Sequence, residues 1–200
     1  MKLQERKISE LDTINEKNDS LLSSLRQQIL QQAVQGKLVP QDPNDEPASE
    51  LLKKIKAEKE KLIREGTIKK QKPLPPIASD EIPYEVPKGW AWCRLGEISQ
   101  LITKGSSPKW QGVNYIEQSE KGILFITSEN VDSFKLKFDN KKYVEKKFNE
   151  IEPRSILKRG DFLMNIVGAS IGRTAVFNID IKDTNINQAV CLIRQINFCI

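Results

Sequence analysis

The sequence contains no histidine and only three cysteines, Cys93, Cys191 and Cys199, at long and irregular spacing. That leaves no imidazole to act as base or ligand, no zinc-binding spacing and no complete disulfide framework, so the thiols are read as reduced and the chain as cytoplasmic. Long apolar runs are missing as well. Nowhere do about 18 apolar residues follow one another, and the N-terminus MKLQERKISELDTINEKNDS has no apolar signal core, so no membrane association is expected. Charge of one sign is only mildly in excess, with 32 Lys+Arg against 27 Asp+Glu, and neither end of the chain is a basic tail. Contact with nucleic acid therefore depends on how the cations are arranged in space.

Catalytic motifs are absent too. There is no phosphate-binding loop of the P-loop type, no G-x-G-x-x-G, no carboxylate pair with a nearby lysine of the kind a metal-dependent nuclease uses, and no cofactor loop of a methyltransferase. No catalytic and no metal-ligating residue is nominated. The nearest glycine motif, Gly168-Ala-Ser-Ile-Gly172 followed by Arg173, either bends backbone toward a phosphate or forms a tight strand-to-strand turn.

What is present begins with periodicity. Ile8, Leu11, Ile14, Leu21, Leu22, Leu25, Ile29, Ala33 and Val34 recur at threes and fours, which predicts a helix over about 3–38 with one apolar stripe. Asn18 lies one heptad from both Leu11 and Leu25; it either fixes coiled-coil register or faces solvent. Leu11, Asn18, Leu21, Leu25 and Ile29 are the candidate assembly residues. Gly36 and the prolines of QDPNDEP stop this helix, and a second one, about 48–65, carries a narrower stripe of Leu51, Leu52, Ile55, Leu62 and Ile63 up to Gly66. The domain reading is a helical arm over 1–66, an extended proline-rich linker over 67–88, and a mixed domain over 89–200. In that last part strands are expected at Trp90–Arg94, Ile123–Thr127, Lys142–Val144, Asp161–Val167, Thr174–Phe177 and Ala189–Ile193, with helices at Leu95–Ile102 and Glu145–Glu150. The fold class is α+β: a long coiled-coil-like helical arm followed by a mixed α/β domain of short strands.

Three polar segments beside these elements gather amides, hydroxyls and cations: Thr103–Lys109, Thr127–Asn130 and Asn185–Gln188. Such side chains read base edges or hold phosphates, although each segment taken alone is also ordinary turn chemistry.

Four stretches, LRQQILQQAVQGKLVPQDPNDEPASELLKKIKAEKEKLI, EVPKGWAWCRLGEI, GDFLMNIVGASIGR and NINQAV, occur in an order that resembles the specificity subunit of type I restriction-modification systems. The resemblance spans about residues 20–195. It implies one target-recognition domain and one helical region of a subunit that has two of each, with no catalysis of its own. It implies double-stranded DNA, methyltransferase subunits and restriction subunits as partners, together with a second copy or another half-subunit. No cofactor is expected on this chain; S-adenosylmethionine, ATP and Mg belong to the partner subunits. Asn165, Gly168, Ser170, Ile171, Gly172 and Arg173 match the family's strand-and-turn motif, and Asn185, Asn187 and Gln188 its NINQ segment; these are assigned mainly to folding and phosphate positioning. The loops Lys104–Gln111 and Glu129–Lys137 are better placed for readout. The candidate DNA-binding set is therefore Lys104, Ser106, Ser107, Lys109, Gln111, Ser128, Glu129, Asn130, Lys135, Lys137, Ser170, Arg173, Asn187 and Gln188. The family pattern continues past Ile200, so a recognition domain truncated at its C-terminus is expected: a fragment, a disrupted gene or a half-subunit completed by another chain. The competing expectations are a scaffold that only captures methyltransferase subunits and a self-contained nuclease.

Overall fold

The computed structural model describes residues 2–117 and 122–196, with side chains from residue 12 onward. It is a mixed α and β fold: a long N-terminal helix and, later in the chain, a strand-rich region. The chain divides into two compact units, one formed by 1–53 and 75–92 and the other by 54–74 and 93–200.

In the first unit, helix α1 (Lys2–Val34) stops four residues short of the expected end. The amide of Lys37 bonds the Gln32 carbonyl at 2.8 Å and that of Gly36 bonds Ala33 at 3.0 Å, a paired C-terminal cap that needs the left-handed φ of 67° at Gly36. Gly36 is also crowded: a Cβ there would meet Pro87 Cγ at 2.7 Å and Trp90 at 3.1 Å. The second half of the proline-rich segment is thus docked. Tyr84 Oη donates to the Val34 carbonyl at 3.3 Å, Trp90 Nε1 donates to Gln41 Oε1 at 2.7 Å, and Trp92 Nε1 donates to the Tyr84 carbonyl at 3.3 Å while stacking edge-on against the Tyr84 ring. These bonds explain why Trp90–Arg94 is not a strand. The aromatic content that raised its β-propensity serves anchors for a loop, since indole N–H groups seek partners wherever they are partly covered.

Helix α2 (Ala48–Arg64) ends in the same hydrogen-bond pattern, with Gly66 bonding Ile63 and Thr67 bonding Leu62. In the second unit the expected helix Leu95–Ile102 is a single turn, α3 (Leu95–Ile98), that gives way to strand β1 (Ser99–Lys104). The reason is tertiary. β1 pairs antiparallel with β10 (Val190–Gln195), and a row of ladder bonds outweighs the weak helical preference of SQLI.

One sheet has the order β1, β10, β7 (Asp161–Asn165), β8 (Thr174–Phe177), all antiparallel. The other has the order β2 (Tyr115–Ile116), β6 (Lys142–Glu145), β3 (Gly122–Ile126), β9 (Asn185–Ile186), with β3 and β9 parallel. A two-residue hairpin, β4 (Val131–Asp132) and β5 (Lys135–Leu136), and a short helix α4 (Lys147–Ile151) complete the unit. β3 is apolar at consecutive positions because both its faces are covered. Leu124 and Ile126 join one core with Leu163, Phe177 and Leu192, while Ile123 and Phe125 join a second with Val144 and Phe148. β7 and β8 alternate instead: Leu163, Ala175 and Phe177 point inward and Phe162 and Val176 toward solvent.

Strands β10 and β7 are also joined by a largely buried ion pair. Arg194 Nε donates to Asp161 Oδ1 at 2.7 Å and its Nη2 to Oδ2 at 2.6 Å and to the Ile156 carbonyl at 2.9 Å, while the Lys158 amide closes on the same carboxylate at 2.6 Å. Asp161, the first residue of β7, is the acidic half of a forked pair between neighbouring strands.

Candidate nucleic-acid interface

The nominated segments converge on residues 185–190. On one side the Gly105 amide donates to the Val190 carbonyl at 3.3 Å, and a Cβ on Gly105 would lie 2.0 Å from the Ile186 oxygen, so only glycine lets these chains touch. From another side the Asn187 amide bonds Ile126, at the end of β3, at 2.9 Å. The Ile166 amide bonds Ala189 at 2.9 Å from a third side, which brings in the turn between β7 and β8. Sequence-distant loops are thereby fixed by their ends to one short piece of backbone.

Several nominated amides are committed to this framework. Asn130 is buried; its Oδ1 accepts from the amide and hydroxyl of Thr127, and its Nδ2 donates to the carbonyls of Lys137 and Asn140. Gln111 Nε2 donates to Ser106 Oγ and Glu152 Oε1, and Asn187 Oδ1 accepts from the Ala189 amide. Asn185 is buried between Asn149 and the Glu152 carbonyl. Asn165, fully buried, donates through Nδ2 to the Ser128 and Val131 carbonyls and to Ser170 Oγ, which clamps the hairpin and the β7–β8 turn together. Carbonyl acceptors force that amide orientation, and Asn165 Oδ1 is left buried without a partner. Gly168-Ala-Ser-Ile-Gly172 closes as a strand-to-strand turn, with Gly172 bonding Asn165, Ile171 bonding Gly168 and Arg173 bonding Ser170.

Other nominated side chains face solvent: Lys104, Lys109, Glu129, Lys135, Lys137 and Arg173, with Ser106, Ser107, Ser128, Ser170 and Gln188 half-buried. Three cations surround one carboxylate at the hairpin. Lys137 Nζ lies 2.5 Å from Asp132 Oδ2, Arg173 Nη1 lies 3.3 Å from Oδ1, and Lys135 stands directly across the strand pair. The hydrogen bond from Lys137, that from the Ser133 backbone and the nearby charges hold the Asp132 carboxyl below the usual carboxylate range. Glu129 is engaged by Lys142 at 2.9 Å.

Two exposed aromatics lie within the loops nominated for readout but were not among the candidate side chains. Trp110 sits next to Lys109 on the short turn Pro108–Gln111 and is 73% exposed. Phe134 occupies the hairpin turn at φ 64°, a conformation that costs a bulky residue about 1–2 kcal/mol, and is 76% exposed. Nothing in VDSFKL announces a left-handed phenylalanine.

On helix α1, Leu21, Leu25 and Ile29 are 67%, 52% and 45% exposed, and Asn18 is exposed beside them. The side chain of Leu11 lies outside the described residues. Among the described residues no helix is long and apolar enough to cross a membrane.

No family model matches the chain. Two curated proteins of Escherichia coli do. The type I restriction enzyme EcoEI specificity subunit is 60% identical over 90 residues, which cover 45% of this chain and 15% of the relative. The type I restriction enzyme EcoAI specificity subunit is 63% identical over 84 residues, covering 42% of this chain and 14% of the relative. A chain from a structure of a type I restriction-modification assembly overlaps 74% of this chain and 32% of its own length, at 21% identity and a TM-score of 0.39, too loose a likeness to carry a fold assignment. The matched stretch is a small share of each curated relative, and across it this chain is similar to the type I restriction specificity subunits.

Proposed function

We propose that this chain is a non-catalytic, sequence-reading component of a type I restriction-modification complex, acting in the cytoplasm. The reading rests on the 60% identity with a specificity subunit. It is supported by the meeting of three segments on residues 185–190, whose adjoining loops carry exposed cations on an otherwise nearly balanced chain. Residues 89–200 are the target-recognition domain and 67–88 the segment leading to it. Lys104, Lys109, Lys135, Lys137 and Arg173 hold phosphates or guanine edges, and Ser106, Ser107, Ser128, Ser170 and Gln188 supply the neutral donors and acceptors. Residues 1–66 form a coiled-coil-like arm whose exposed leucines dock methyltransferase subunits. Those subunits bring S-adenosylmethionine, and restriction subunits bring ATP and Mg.

The test is selection from a random duplex library by the chain, with and without type I methyltransferase subunits. Enrichment of one asymmetric half-site is expected, with affinity that falls as salt rises. Salt-dependent retention of DNA with no enriched sequence overturns the reading, even if methyltransferase subunits are captured.

A further inference from the structure

Phe134 combines three properties that the turn itself does not require. A two-residue hairpin turn is made most cheaply by Asn or Gly, yet a phenyl side chain stands there in left-handed backbone. The ring is held out, 76% exposed, rather than folded onto the nearby core. Its backbone is braced, because the Phe134 amide donates to the Thr174 carbonyl at 2.8 Å and the Asn165 clamp holds the hairpin to the β7–β8 turn. That turn also exposes Val167 and Ile171, at 55% and 65%, and Arg173 at its end and Lys137 both reach Asp132 of the hairpin, with Lys135 across from it, so the exposed ring has cations at its flanks. Water is a poor partner for such a ring. A surface that is apolar at its tip and cationic at its flanks complements a duplex, in which phosphates flank stacked bases.

Resting on the reading of this chain as a DNA-recognition component, we infer that Phe134 is a wedge that enters between two base pairs of the target and unstacks them, while Arg173, Lys135 and Lys137 hold the adjoining phosphates. The strained turn keeps the ring projected before DNA arrives, so little side-chain freedom is lost on binding. A wedge also reads sequence without hydrogen bonds, since pyrimidine–purine steps open more easily than others.

The experiment uses the 200-residue chain and the duplex it selects, remade with 2-aminopurine at each position in turn. Wild type is expected to raise 2-aminopurine emission at one step only. Phe134→Asn, which suits the turn better and should melt no lower than wild type, is expected to abolish that rise, weaken binding about tenfold and relax preference at that step. Phe134→Trp is expected to retain all three properties, and Arg173→Gln to keep the emission rise while lowering the slope of affinity against salt by about one phosphate contact. Selected DNA bound equally well by Phe134→Asn, or an unchanged emission rise, overturns the wedge and leaves DNA reading intact. Failure of wild type to select any duplex overturns both.

Discussion

Arg194 holds both carboxylate oxygens of Asp161, at 2.7 and 2.6 Å, across the seam between β10 and β7. Because the carboxylate is only 1% exposed, the pair matters less for its own energy than for what a single deletion leaves behind.

Arg194→Met keeps the apolar stem and strands a buried charge. The expected loss is about 3–5 kcal/mol of stability, or on the order of 10 °C in the melting temperature. Arg194→Met with Asp161→Asn should recover part of it, because no ion is then left unpaired. Thermal unfolding of the three proteins by circular dichroism checks both statements; a double variant no more stable than the single one refutes the account.

Gly105→Ala places a methyl group inside the Ile186 oxygen, and the backbone of both segments must separate. A loss of about 2–4 kcal/mol is expected, accompanied by faster amide exchange at Gly105 and Val190 than in wild type. Exchange that stays as slow as in the parent would show that the two segments are not locked at this point.

The Asp132 carboxyl, held low by Lys137 first and then by the Ser133 backbone, has a folded pKa below its unfolded one. Its contribution is therefore complete above the unfolded value and disappears as pH falls through the folded value. Asp132→Asn should flatten that part of the acid limb of a melting-temperature profile. It should also tighten DNA binding at low salt, because Arg173 and Lys137 lose their local counter-charge. Weaker binding by the variant would mean that the carboxylate itself contacts DNA.

Replacement of Leu21 and Leu25 by Asp lies outside the strand-rich unit and charges the exposed stripe of α1. Capture of methyltransferase subunits in a pull-down should be lost while thermal unfolding of the strand-rich unit is unchanged. Undiminished capture would move the docking surface elsewhere.

Much of this was legible in the residues. The α1 stripe, the glycine that ends it and the strand Thr174–Phe177 follow from period and punctuation, which are local properties. Ser99–Ile102 was misread as helix because its state is decided by β10, about 90 residues later, and Trp90–Arg94 because indole partners in a loop leave no periodic trace. In the candidate site, residue type located the polar loops, but not which amides would be consumed internally. Asn130 and Gln188 look alike in sequence; one is sealed between Thr127 and Lys137, the other is half-exposed. The left-handed turn at Phe134 depends on a hairpin register that two-residue strands do not advertise.

The ends of the candidate loops are fastened by Gly105, Asn165 and Asn185, whereas Lys109, Trp110 and residues 133–135 between them carry exposed side chains. A graft that exchanges 109–110 or 133–135, all exposed, and keeps those three anchors should therefore fold like the parent, and a new preference could be selected by varying inserts within one fixed frame.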